Sequence, residues 1–218
     1  MVNKIISGGK SLFLCLLLLN STACWAENQT AETTSEYQVV DLKVLQIDVA
    51  PLGLADCTTT VALAVNRVLA ACRSARTDTE EDYGLRLYIL ATDGPQPAIL
   101  SSTRGLGDAY TVTLQLRRNA GGTIPDLLLA DAAAEYAYGT AVYHLTGDKL
   151  VYLGEIGYVQ MSADNNPVSA LGITRIQSTR EGFKVSFLEK VYSLDKSGEY
   201  KPVDARKASI TFDGKRLR

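Results

Sequence analysis

The chain has 218 residues, 46% apolar and 21% charged, with a formal net charge of −2 and four cysteines. That balance excludes a disordered chain and the strongly basic make-up of a dedicated nucleic-acid binder, and it provides enough apolar residues for one sizeable core. After the leader described next, no stretch approaches the roughly 20 consecutive apolar residues of a transmembrane helix, so no span is expected.

Residues 1–26 read as a signal peptide. Lys4 and Lys10 form a basic start, Ser11 to Leu19 an apolar stretch, and Cys24-Trp25-Ala26 ends in a small residue suited to cleavage before Glu27. A periplasmic or secreted mature chain is expected. A lipid anchor on Cys24 fits poorly, because Ser21 stands where a lipoprotein signal usually carries leucine. Cleavage removes two lysines and no acids, leaving 20 basic and 24 acidic side chains, net −4. From Ile173 to Arg218 there are 11 basic and 6 acidic residues, which read as ordinary solubilising charge on strand faces, so no nucleic-acid partner is expected.

Residues 27–36 are polar and read as a disordered lead-in, and one β-rich domain is expected over 37–218. Tyr37 to Val49 reads as a broken strand in which Leu45, Ile47 and Val49 alternate, ended by Pro51 and Gly53. Val61, Val65, Val68, Leu69 and Cys72 then recur at helical spacing, with Thr58 to Thr60 as N-cap hydroxyls, which predicts one N-terminal helix. Cys57 and Cys72 are the only cysteines of the mature chain and, outside the cytoplasm, each other's only intrachain partner. The two expectations conflict. Fifteen residues of continuous helix would hold the cysteines about 22 Å apart, and a disulfide needs about 7 Å or less, so bridge and no bridge both stay open.

Asp78 to Asp82 is an acidic run, read as a solvated loop and not as a metal site. Leu85 to Ala91 and Tyr110 to Arg117 alternate as strands, and Leu127 to Ala130 is a short apolar run. Thr140 to Leu145 and Leu150 to Ile156 flank Thr146-Gly147-Asp148-Lys149, which predicts a hairpin. Closure by Thr146 and Lys149 sets Leu145 opposite Leu150, His144 opposite Val151, Tyr143 opposite Tyr152 and Val142 opposite Leu153. Both faces are then apolar, as in a sheet covered on both sides, and the hairpin reads as the middle of the core. Beyond it, short strands are divided by Glu181-Gly182, Lys196-Ser197-Gly198 and Asp213-Gly214. The fold class is α+β or mainly β, a largely antiparallel sheet or sandwich with one N-terminal helix.

No nucleophile elbow, paired-histidine zinc motif, CxxC or phosphate loop is present in the mature chain, so neither a catalytic set nor a metal or cofactor site is assigned. His144, the single histidine, has Asp131, Glu135, Asp148 and Glu155 near it in sequence, and a hydrolase using it with one of these carboxylates is the alternative function. Its strand position between Val142 and Leu153 reads more simply as a sheet side chain. Glu189 sits on the parity of Phe183, Val185 and Phe187, and needs a cation, a sheet edge or a site.

Asn119 to Asp131, NAGGTIPDLLLAD, resembles the end of an FG-GAP or VCBS-type β repeat, in which a loop runs into Pro-Asp and an apolar strand. Asn119, Ala120, Gly121 and Gly122 stand where that family's calcium-binding carboxylates lie, so calcium is not implied. The following hairpin, entered through Tyr138-Gly139, resembles secreted β-proteins that inhibit lysozymes by inserting a loop into the enzyme's cleft. Both resemblances imply an extracytoplasmic, β-rich binding protein, with a protein or an envelope polymer as partner. Ala132 to Gly139 lacks strand alternation and is expected to connect two strands, projecting Glu135, Tyr136 and Tyr138 as a contact site; the competing expectation is a helical turn packed on the core.

Overall fold

The structure is a computed structural model and describes residues 35–74, 76–120 and 125–218. The signal peptide, Cys24 and residues 27–34 of the lead-in lie outside the described residues. The described part belongs to a compact unit, Glu32–Arg218, whose regular structure is strand apart from two single 3-10 turns, Ala50–Leu52 and Leu171–Ile173. In chain order the strands are β1 (Tyr37–Val40), β2 (Ala55–Ala64), β3 (Arg67–Arg73), β4 (Arg86–Ala91), β5 (Ala98–Ser102), β6 (Thr111–Asn119), β7 (Asp126–Ala133) and β8 (Ala137–Thr146). They continue with β9 (Lys149–Ile156), β10 (Tyr158–Met161), β11 (Pro167–Val168), β12 (Thr174–Ser178), β13 (Phe183–Phe187), β14 (Val191–Leu194), β15 (Tyr200–Val203) and β16 (Ser209–Phe212).

A five-stranded antiparallel sheet, ordered β1-β6-β7-β8-β9, is central. Its apolar residues alternate between two cores. Leu128, Ala130, Ala132, Ala141 and Tyr143 face Leu69, Ala71, Leu87 and Ile89 of the four-stranded sheet β2-β3-β4-β5. Leu127, Leu129 and Val142 face Phe183, Val185, Ile210 and Phe212 of the C-terminal strands. The four-stranded sheet is covered in turn on its outer side, where Val68, Ala70, Cys72, Tyr88 and Leu90 pack against Leu45, Ile47, Val49 and Leu52. The expected alternation of Leu45, Ile47 and Val49 is therefore that of a strip laid across a sheet.

Two expectations are corrected here. No helix forms from Thr58 to Arg73: Ala55 to Arg73 is the β2–β3 hairpin, with Ala64 opposite Arg67 and Asn66 taking a positive φ of 56° in the turn. Val68 to Cys72 is apolar at every position because both faces of β3 are buried, and a continuous apolar run contains helical spacings by coincidence. The hairpin removes the conflict over the cysteines. Cys57 and Cys72 face each other across it, bridged, with Cα atoms 4.0 Å apart. The second correction concerns the central hairpin. Four of its pairs are as expected, but a bulge sets Val142 opposite Gly154 instead of Leu153. Its second strand, β9, is the exposed edge of the sheet, so β7 and β8 form the middle of the core. Glu189 lies beyond the end of β13, exposed, and accepts from Gln160 at 3.3 Å.

The acidic run does more than solvate a loop. Arg86 is buried on β4, and it is held by Asp78, by Asp82 at 3.6 Å, and by the carbonyls of Thr77 and Asp82 at 3.1 and 2.7 Å. A buried guanidinium needs such a ring of acceptors. At the lead-in, Ser35 bonds Ser178 and Asn119, so the last described residues before β1 are tied to the domain.

Candidate functional site

The β7–β8 connection is a tight turn. Ala133 pairs with Ala137, and Ala134 donates to the Tyr136 carbonyl at 3.2 Å. Strand thus extends further into Ala132 to Gly139 than its composition suggests, and no helical turn packs there. Glu135, Tyr136 and Tyr138 are all exposed. Two distant segments join them. The chain entering β6 is fixed beside the turn by the Tyr110 amide donating to the Ala133 carbonyl at 2.8 Å. The loop before β4 arrives through Gly84, which bridges Gly107, and the Tyr83 hydroxyl donates to Asp108 at 3.4 Å. The Tyr138 hydroxyl is held above its usual pKa by residual burial and by the charges and dipoles of Asp108, Tyr110, Glu135 and Tyr83. These five side chains therefore form one neighbourhood.

Tyr83, Tyr110, Tyr136 and Tyr138 leave 40%, 61%, 46% and 52% of their surfaces open, whereas Tyr37, Tyr88 and Tyr143 are buried. Burial drives aromatic rings inward by default, so four open rings around two carboxylates form an unusual surface. Glu80 and Glu81 stand exposed within three residues of Tyr83, adding negative charge. Arg73 also reaches this rim, half-buried, with Nη2 on the Ala109 carbonyl at 3.3 Å. Glu135, Tyr136 and Tyr138 are the residues that the sequence offered as a contact site; Tyr83, Asp108 and Tyr110 are added to them by the fold. No local signal marks those three as neighbours; their proximity is a product of the topology.

A groove of about 500 Å³ lies between β9 and the chain leaving β5, and none of the patch residues lines it. Tyr143 forms part of its floor. Burial is the main cause pushing the Tyr143 phenol up to about 12, while a hydrogen bond with Thr103 opposes the shift. Tyr152 lies 5.6 Å from it, ring to ring, and its own phenol is pushed up to about 12 by burial and by Glu155, with which it is hydrogen-bonded.

His144 stands apart from both features. Its ring packs edge-on against Phe212 and Phe183 at 5.2 and 6.1 Å, burial lowers its pKa, and its Nε2 has no hydrogen-bond partner. The four carboxylates near it in sequence are engaged elsewhere: Asp131 accepts from Thr140 at 2.8 Å, Asp148 pairs with Arg67 at 2.8 Å, Glu155 holds Tyr152, and Glu135 lies in the tyrosine patch. Among the described residues no group of three metal-ligating side chains converges, and no helix is long and apolar enough to cross a membrane. No protein-family model, curated protein or solved structure matches the chain.

Proposed function

We propose that the chain is an exported, non-enzymatic binding protein, periplasmic or secreted, whose contact surface is the patch of Tyr83, Tyr110, Tyr136 and Tyr138 around Asp108 and Glu135. The observation that carries this reading is the convergence of three exposed tyrosines, Tyr83, Tyr110 and Tyr138, from three chain segments at a sheet end, with exposed Tyr136 in the adjoining turn. Tyrosine offers a large contact area at small conformational cost, and its ring face attracts cations. The surrounding carboxylates select a protein partner that presents arginine or lysine. The Cys57–Cys72 bridge supports an oxidising compartment. The engagement of every carboxylate near His144 weighs against the hydrolase alternative.

The test is retention of partners from a periplasmic extract by the wild type and by the Tyr136→Ala/Tyr138→Ala variant, read by mass spectrometry. Salt-sensitive retention of a basic protein, lost in the variant at an unchanged thermal midpoint, is the expected result. Equal retention by both proteins would contradict the assignment.

A further inference from the structure

The groove between β9 and the Thr103–Asp108 loop is a separate feature from the tyrosine patch, and its chemistry differs. The loop wall is pinned at three points. Gly105 donates to the Asp82 carboxylate, Leu106 donates to the Leu85 carbonyl at 2.7 Å, and Gly107 donates to the Tyr83 carbonyl at 3.0 Å. A Cβ at Gly105 would stand 1.9 Å from the Tyr83 carbonyl oxygen, so only glycine lets the two backbones pack this closely. The opposite wall belongs to a paired sheet strand. The groove is thus built before any ligand arrives, which lowers the cost of binding.

Its lining has two charges of opposite sign on opposite walls. Arg104 on the loop is exposed, and among the described residues its guanidinium has no ion-pair partner. Glu155 on β9 is exposed and lines the groove, beside Tyr152, and among the described residues its carboxylate has no ion-pair partner, which leaves acceptor capacity for a ligand. The same lining includes Tyr143, Tyr152, Leu106 and Leu150, an aromatic and aliphatic bed. A guanidinium takes a carboxylate in two parallel hydrogen bonds, a carboxylate takes an ammonium, and the bed takes apolar side chains. A volume of about 500 Å³ exceeds what one amino acid fills and suits two or three residues.

We infer that this groove binds short free peptides of apolar residues, with the α-carboxylate on Arg104 and the α-ammonium on Glu155. The side chains lie over Tyr143 and Tyr152. Because both termini are read, a free di- or tripeptide fits and an internal segment of a longer chain does not.

Leucyl-leucine, its N-acetyl derivative and its C-terminal amide are titrated into the mature protein and followed by NMR of the tyrosine ring resonances. The wild type should bind the free dipeptide about tenfold or more tighter than either blocked form, since each block removes a hydrogen-bonded charge pair. Arg104→Gln should lose its sensitivity to amidation and keep that to acetylation; Glu155→Gln should do the reverse. Both sites are exposed, so the variants keep the wild-type thermal midpoint. Absence of shifts at Tyr143 and Tyr152, or equal binding of the free and blocked peptides, would overturn the inference. Neither result bears on the tyrosine patch, whose test is partner retention.

Discussion

The two ends of β8 carry similar residue types into opposite environments. At its start, Tyr138 stands open among Tyr83, Asp108, Tyr110 and Glu135. Near its end, His144 is half-buried, its ring packed edge-on against Phe183 and Phe212, and burial lowers its pKa. An aromatic or ionisable residue on a strand thus becomes a contact or a core element according to what distant chain segments bring to it. At one end they bring carboxylates and open rings; at the other they bring phenylalanine.

That contrast can be broken most severely at the buried end. Phe183 is fully buried and touches Tyr37, His144 and Phe212. Phe183→Ala should cost about 3–5 kcal/mol in urea unfolding, lowering the midpoint by roughly 10 °C for a domain of this size. Opening the Cys57–Cys72 bridge by a double serine replacement is expected to cost about 3 kcal/mol, because it frees a loop of 15 residues in the unfolded chain. The mature wild type should also show no reactive thiol under denaturing, non-reducing conditions.

A smaller effect sharpens the comparison through pH. Burial lowers the His144 pKa below its ordinary 6.5, so the folded protein holds the ring neutral while the unfolded chain protonates it first. Its contribution to stability is complete above pH 6.5 and declines as pH falls below that value, levelling off beneath the folded pKa. His144→Leu should remove this part of the acid-side slope in the difference curve between the two proteins. An unchanged slope would show that His144 is solvated.

The smallest effect on stability is expected at the open end. Tyr136→Ala/Tyr138→Ala should move the thermal midpoint by about 1 °C or less, as exposed side chains away from caps and networks do. A loss comparable to that of Phe183→Ala would make these rings core elements.

The same contrast explains how much the sequence disclosed. The strands β4, β6, β8 and β9, the turn at Gly147, four of the five hairpin pairs and the exposure of Glu135, Tyr136 and Tyr138 follow from alternation and turn chemistry, which are local, whereas β5 was not expected. The β2–β3 hairpin did not follow from them, because a strand buried on both faces has no polar alternation and its apolar run also fits helical spacing. Tyr83, Asp108 and Tyr110 lie 25 or more residues from Tyr138 along the chain, and only sheet order brings them together. Arg86 in its ring of acceptors was hidden for the same reason: the acidic run looked like a solvated loop until β4 placed a guanidinium beneath it.

Site-specific photo-crosslinking in intact cells tests the contact surface most directly. A benzophenone side chain is introduced at position 138 in the patch and, in a second strain, at position 192 on β14, far from it in sequence and in a different sheet. Position 138 is predicted to trap a discrete, basic protein partner, with the adduct lost when Asp108→Asn and Glu135→Gln are added, while position 192 traps none. The same adduct from both positions, or an adduct at 138 indifferent to the two carboxylates, would contradict the assignment of the tyrosine patch as the binding surface.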